Sequence, residues 1–296
     1  MEGVLVLDKP PGMTSHDVVD ELRRRTSRRR IGHAGSLDPN ATGVLLLLFE
    51  RATKVSRWLM GLDKQYVFTI QLGIETTTHD RWGQIIRSSD LDNLDERLIG
   101  QAVMSFRGRY QQIAPAVSAL KYRGRPLYKI AREGGQVPIK TRLVRIRSIE
   151  ILDVCLPMVT LKVDCSSGTY VRALARDIGR QLGCGATVFC LRRTRIGPFD
   201  VEMATSLDDL VSRKVDLSKI MLSIDRALGY MPRVTVRQGR ERAIRMGKPP
   251  EIDDLVNPDE IPEEGDFCLV DSEGNLIGIG HNQAKGTKRM RLDRIL

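Results

Sequence analysis

Apolar positions along this chain fall into short blocks, some continuous and some spaced at helical intervals, separated by clear turn signals. Residues 4–7 form an apolar run closed by Asp8-Lys9-Pro10-Pro11-Gly12, which predicts a strand and a turn. Beyond the turn Ser15 is placed to cap a helix with Asp17 in its first turn and Val18, Val19 and Leu22 on one face; the arginines from Arg23 end it. The unbroken run 43–49 and the β-branched, aromatic stretch 66–72 predict buried or half-buried strands. Leu94, Leu98, Ala102 and Phe106, spaced by four, predict a helix over 94–106, and Pro126 and Gly134 bracket a shorter one over 126–133. A strand over 158–163 then leads through Ser166-Ser167-Gly168 to a helix whose face is Val171, Leu174, Ala175, Ile178 and Leu182, stopped by Gly183.

From about residue 230 the texture changes to short strands at 233–236, 267–270 and 276–279, the last two joined by a hairpin-like loop over 271–275. A small β domain is expected there, which divides the chain into units 1–229 and 230–296 with a boundary near Gly229. Within the second unit, residues 251–266 carry eight acidic side chains and no basic one, and read as a solvated excursion. No internal repeat or low-complexity tract is present.

A length of 296 residues with 41% hydrophobic positions supports a real core, in one large domain or a large one plus a small one. The net charge of +10, from 47 Lys+Arg against 37 Asp+Glu, favours a polyanionic partner, nucleic acid or anionic lipid. The longest apolar run, 44–49, is far too short for a transmembrane helix, and the N-terminus opens on a strand rather than a leader pattern, so a cytoplasmic address is expected. Five cysteines without a C-x-x-C pair suggest neither a disulfide framework nor a zinc site. Basic residues gather at 23–30, with six arginines in eight positions, at Arg192-Arg193-Thr194-Arg195 and over 285–294; all three are candidate phosphate-contact surfaces. Lys121-Tyr122-Arg123-Gly124-Arg125 interleaves an aromatic with cations, which suits stacking on an unpaired base.

The most informative stretch is Gly32-His33-Ala34-Gly35-Ser36-Leu37-Asp38-Pro39-Asn40-Ala41-Thr42-Gly43-Val44-Leu45, a glycine-flanked loop that presents one carboxylate and runs into a buried strand. A carboxylate on a rigid loop at a sheet edge can act as a nucleophile or base, although Asp-Pro taken alone is a turn dipeptide.

This stretch resembles the catalytic loop of the TruB-type tRNA pseudouridine-55 synthases, G-H-x-G-x-L-D-P-x-A-x-G-V-L, at every fixed position. The opening Lys9-Pro10-Pro11-Gly12-Met13-Thr14-Ser15-His16, the segment Asp63-Lys64-Gln65-Tyr66, the block from Ser118 to Tyr128, Gly168-Thr169-Tyr170-Val171-Arg172, and the segments around Leu182–Ala186 and Leu191-Arg192-Arg193 are similar to further blocks of that family, in its order and approximate spacing. The resemblance covers residues 3 to about 200.

What the resemblance implies is an α+β pseudouridine synthase fold, a mixed and largely antiparallel sheet flanked by helices, followed by a small C-terminal β-barrel PUA-like RNA-binding domain or a shorter family-specific β tail. The implied reaction isomerises the T-loop uridine at tRNA position 55 without cofactor or metal. Asp38 becomes the essential carboxylate, attacking the ribose or taking a proton from it, and Arg172 its bidentate partner. Tyr66 becomes the aromatic that receives the flipped base and a candidate acceptor of the C5 proton. Leu191 would close the pocket, His33 fill space vacated by flipped nucleotides, Tyr170 support the pocket and Asp80 link polar groups to it. Lys64, beside Tyr66, joins the substrate-binding set. The implied partner is the tRNA T arm, recognised by shape and flipped loop bases, for a monomer with no obligatory protein partner. A guide-RNA-dependent synthase subunit and a non-catalytic RNA-binding or tRNA-folding protein are the alternative readings.

Overall fold

The computed structural model describes residues 2–115, 121–122, 124–126, 133, 139–212, 216–283 and 290–296. The expected helix over 126–133, most of the block from Ser118 to Tyr128 and the basic positions 285–289 lie outside the described residues.

The run 3–9 forms strand β1 (Gly3–Lys9), followed by helix α1 (Ser15–Thr26). The cap is Thr14 rather than Ser15: Thr14 Oγ1 accepts from the Asp17 N–H and Asp17 accepts from the Thr14 N–H, a reciprocal capping box. This frees Ser15, the first helical residue, for a long-range contact described below. Strands β2 (Ile31–Ala34) and β3 (Thr42–Phe49) flank the Asp38 loop. Helix α2 (Ser56–Gly61) leads to β4 (Lys64–Leu72), where buried and half-buried positions alternate strictly. A small hairpin, β5 (Ile74–Thr76) and β6 (Ile85–Ser88), precedes helix α3 (Glu96–Met104) and β7 (Gly108–Ile113). After the short pair β8 (Lys121–Tyr122) and β9 (Arg125–Pro126) come the long β10 (Thr141–Cys155), β11 (Met158–Cys165), helix α4 (Val171–Gln181) and β12 (Ala186–Ile196). Two short strands, β13 (Phe199–Asp200) and β14 (Thr205–Ser206), complete the large sheet.

That sheet has the order β14-β1-β3-β12-β4-β11-β10-β7, with β2 on β3 and β13 on β12. All its pairings are antiparallel except β1–β14 and β3–β12. The mixed, largely antiparallel sheet flanked by helices is the architecture the sequence led us to expect. Tyr66, Phe68, Ile70 and Leu72 of β4 and Val159, Leu161 and Val163 of β11 share one core with Leu174, Ala175 and Ile178 of α4 and Ile99 and Val103 of α3. Strand β3 is covered on both faces. Leu45, Leu47 and Phe49 pack under α1, while Val44, Leu46 and Leu48 pack with Trp58 and Leu59 of α2. A strand buried on both faces has no polar alternation, which is why 43–49 reads as a continuous apolar run.

The C-terminal strands β15 (Arg233–Thr235), β16 (Gly265–Val270), β17 (Leu276–Asn282) and β18 (Met290–Ile295) form one sheet in that order. Instead of the expected barrel, the described residues form this open sheet with no closure. It packs on the large unit: Cys268 and Ile279 join the cluster containing Val4, Trp58, Ala227 and Leu228. Trp58 Nε1 donates to Asp266 at 2.8 Å, Lys54 Nζ to the Ile295 carbonyl at 3.1 Å, and Arg57 pairs with Asp293. The acidic stretch is not wholly solvated, since Asp254 and Leu255 are buried, Asp254 beside Arg240 at 3.2 Å.

Candidate active site

The loop between β2 and β3 carries Asp38 at the mouth of a cavity of about 700 Å³. Three buried groups fix the loop from beneath. Lys9, fully buried at the end of β1, donates from Nζ to the carbonyls of Pro10, Met13 and Pro39 at 2.7, 2.6 and 2.8 Å. Arg193 of β12, 1% exposed, donates to the carbonyls of Val44 at 2.7 Å, Gly35 at 3.0 Å and Ser36 at 3.3 Å. Ser15 Oγ accepts from the Leu37 N–H at 2.9 Å. Burial pushes the Lys9 ammonium down to about 8, against the pull of Asp38, while Arg193 adds to the lowering. Gly43 has φ +100° and a Cβ there would lie 2.1 Å from the Arg193 carbonyl, so only glycine permits the parallel β3–β12 approach that brings Arg193 under the loop.

Arg172, in the first turn of α4, is buried, and its guanidinium engages Asp38 through two donors, Nε to Oδ2 at 2.8 Å and Nη2 to Oδ1 at 3.0 Å. Its Nη1 donates to the Thr78 carbonyl at 3.0 Å and lies 3.7 Å from Asp80 Oδ2. Asp80 Oδ1 in turn accepts from Thr78 Oγ1 at 2.7 Å and the Trp82 N–H at 3.1 Å. The carboxylate of Asp38, with its side chain 42% exposed, is thus held in one orientation yet open to the cavity. His33 and Leu191 line the same cavity. Among the described residues His33 Nδ1 is buried without a hydrogen-bond partner, and burial lowers the pKa of the ring, so at neutral pH the imidazole is uncharged.

The structure therefore gathers Asp38, Arg172, Asp80, His33 and Leu191 on one cleft. The other three candidates lie off its lining. Tyr66 sits in the core with Leu37, Leu191 packed against that cluster; burial pushes its phenol up while Arg193 works against this. Lys64 donates to the carbonyls of Met60 and Leu62, closing the end of α2, and burial pushes it down to about 8. Tyr170 caps α4 through its backbone, its N–H donating to Gln112 Oε1 at 2.8 Å and its carbonyl accepting from Gln112 Nε2 at 3.1 Å.

Of the basic run at 192–195, only Arg192 and Arg195 keep exposed guanidiniums, and both are paired with carboxylates. Arg193 is internal, Arg192 is bidentate to Asp8 and Arg195 pairs with Asp164 at 2.5 Å. The roles of Lys9, Ser15 and Arg193 were not foreseen from sequence, although all three lie in the quoted motif blocks. Among the described residues one trio could approach a cation, Asp266, His281 and Asp293, but Arg57, Arg291 and the Trp58 N–H already occupy its carboxylates. No described helix is long and apolar enough to cross a membrane.

Residues 23–171 match the TruB family pseudouridylate synthase N-terminal domain, and residues 172–229 the tRNA pseudouridylate synthase B C-terminal domain. The tRNA pseudouridine synthase B of Syntrophotalea carbinolica is 41% identical over 93% of this chain and 90% of its own length. That of Mycobacterium bovis is 40% identical over 99% and 96%. Among solved structures, one of a Cbf5-Nop10-Gar1 complex superposes with a TM-score of 0.77 at 27% identity, covering 99% of this chain and 84% of that one. One of an H/ACA RNP bound to a substrate RNA containing 2'-deoxyuridine gives 0.74 at 25%, covering 99% and 84%. With both family domains matched in order across the Asp38 loop and Arg172, the chain belongs to the TruB family of pseudouridylate synthases.

Proposed function

We propose that this protein isomerises the T-loop uridine at tRNA position 55 to pseudouridine, with Asp38 as the essential carboxylate. The C1'–N1 bond of the nucleotide breaks, the uracil turns, a C1'–C5 bond forms, the C5 proton leaves to solvent and N1 takes up a proton, so no atoms are gained or lost overall. The observation that carries the reading is the Asp38–Arg172 pair, two charge-assisted hydrogen bonds at the open mouth of a cavity. A carboxylate so oriented can act on the ribose as nucleophile or base without first reorganising.

Tyr66 is read as the aromatic partner of the flipped uracil. It belongs to the core cluster that also holds Leu37 and against which Leu191 packs, so base entry would disturb part of that packing, at a cost offset by stacking worth about 1–3 kcal/mol. The raised phenol pKa favours this stacking role in the resting site over ready deprotonation. The strands from Arg233 onward are read as a PUA-like contact for the rest of the tRNA, the protein acting as a cytoplasmic monomer.

The test is an unmodified tRNA transcript incubated with purified protein alone and mapped for pseudouridine. Modification of the single T-loop uridine is expected. Modification elsewhere, or only when guide RNA or accessory proteins are added, overturns the reading.

A further inference from the structure

Trp82 is 61% exposed, although a tryptophan left in water forgoes most of the gain from burial. It is not on a loose loop. Its N–H donates to Asp80 Oδ1, the Gly83 N–H to the Asp80 carbonyl at 3.1 Å, and the neighbouring Arg81 N–H to the Val188 carbonyl on β12 at 2.9 Å. The Arg81 guanidinium lies over two rings at once, 4.8 Å from the centroid of Trp82 and 4.7 Å from that of Phe189. Among the described residues Arg81 forms no ion pair. All three side chains line the same cavity as Asp38.

We propose that Trp82, Arg81 and Phe189 form a stacking site for a second unpaired base of the RNA substrate, beside the uridine site, which adds affinity and register rather than bond-breaking power. This rests on the RNA reading given above. One face of the indole carries Arg81, and its large remaining exposure leaves the outward face for a planar ligand. An unpaired cation pre-stacked between two rings matches a base with its attached phosphate: the rings offer π-faces, the guanidinium the countercharge. The site is rigid because Asp80, which fixes the Trp82 N–H, also faces Arg172, 3.7 Å away. A base seated on Trp82 is therefore held in register with the Asp38–Arg172 pair. Ile85 and Ile86, 62% and 61% exposed on the adjoining hairpin, would suit a second copy of the chain, and the experiment separates that occupant from RNA.

Trp58 is largely buried, so Trp82 is the exposed one of the two tryptophans. In a Trp58→Phe background, titration with unmodified tRNA transcript is expected to quench the Trp82 emission by about half or more, saturating together with binding, because a stacked base quenches indole. In the otherwise wild-type protein, Trp82→Ala is expected to raise KM for tRNA about 10-fold while kcat stays within about twofold, with Trp82→Phe recovering most of the loss. If Trp58→Phe fails to fold, the quench is read as the difference between wild type and Trp82→Phe. Unquenched emission with tRNA bound, or an unchanged KM in Trp82→Ala, overturns the proposal. So does emission that changes with protein concentration alone while sedimentation reports a dimer. Quenching by a protein that modifies no tRNA would leave the stacking site standing and remove the proposed reaction instead.

Discussion

Lys9 and Lys64 are both buried cations near 8, yet their surroundings give them different consequences. Lys64 serves two carbonyls, and a neutral amine with two N–H groups can still serve both. Lys9 serves three, so losing its proton strips one carbonyl around the Asp38 loop of its donor. Because the folded value lies below that of the unfolded chain, between pH 8 and about 10.5 the unfolded chain holds more protons and stability from this group rises with pH. A pH profile of kcat/KM is therefore expected to fall with an apparent pKa near 8 without a matching fall in Tm. Arg193→Met takes the donors away from the carbonyls of Gly35, Ser36 and Val44, the last of them on a buried strand, and a loss of about 3 kcal/mol or more in denaturant unfolding is expected. The resemblance to the TruB-type synthases points to Asp38 and Arg172, but a lysine before Pro-Pro-Gly and an arginine in a basic run carry no local sign of burial. Their partners are main-chain carbonyls of distant segments, which no periodicity reports.

Strands β1, β3, β4 and β11 and helices α1, α3 and α4 were legible because each shows one face or one run to the core. Strand β10 was not: a register shift between Ile146 and Ser148 breaks the alternation of its buried positions Val144, Ile146 and Ile149. The end of β12 was hidden for another reason. Its arginines read as surface, yet Arg192 meets Asp8 from 184 positions away in sequence and Arg193 turns inward. The β3–β12 junction depends on Gly43, where a side chain meets backbone atoms and the φ is unfavourable for an L residue. Gly43→Ala is expected to lower stability by about 2–4 kcal/mol and to reduce activity beyond what unfolding explains, measured by chemical unfolding beside kcat at a temperature where the variant is folded.

At the scale of the whole molecule, the small C-terminal sheet shares a core with the large unit, and the Trp58–Asp266 hydrogen bond crosses that seam. Trp58→Phe keeps an aromatic ring, though a smaller one, and leaves Asp266 without that donor, so a loss of about 1–2 kcal/mol with the fold retained is expected in thermal unfolding. The short strands after residue 230 were legible from their turn signals, but their open sheet and its seam were not, since neither leaves a local pattern. The charge of +10 is carried largely outside the cleft, whose lining sets the carboxylates of Asp38 and Asp80 against the guanidiniums of Arg81 and Arg172. Binding and chemistry therefore separate, and one measurement reads the chemistry alone: tritium release from a tRNA transcript labelled at C5 of uridine, with wild type and Asp38→Asn at concentrations where both are shown to bind. The account predicts stoichiometric release by wild type and a rate at least about 1,000-fold lower for Asp38→Asn. Comparable release by the two proteins would contradict it.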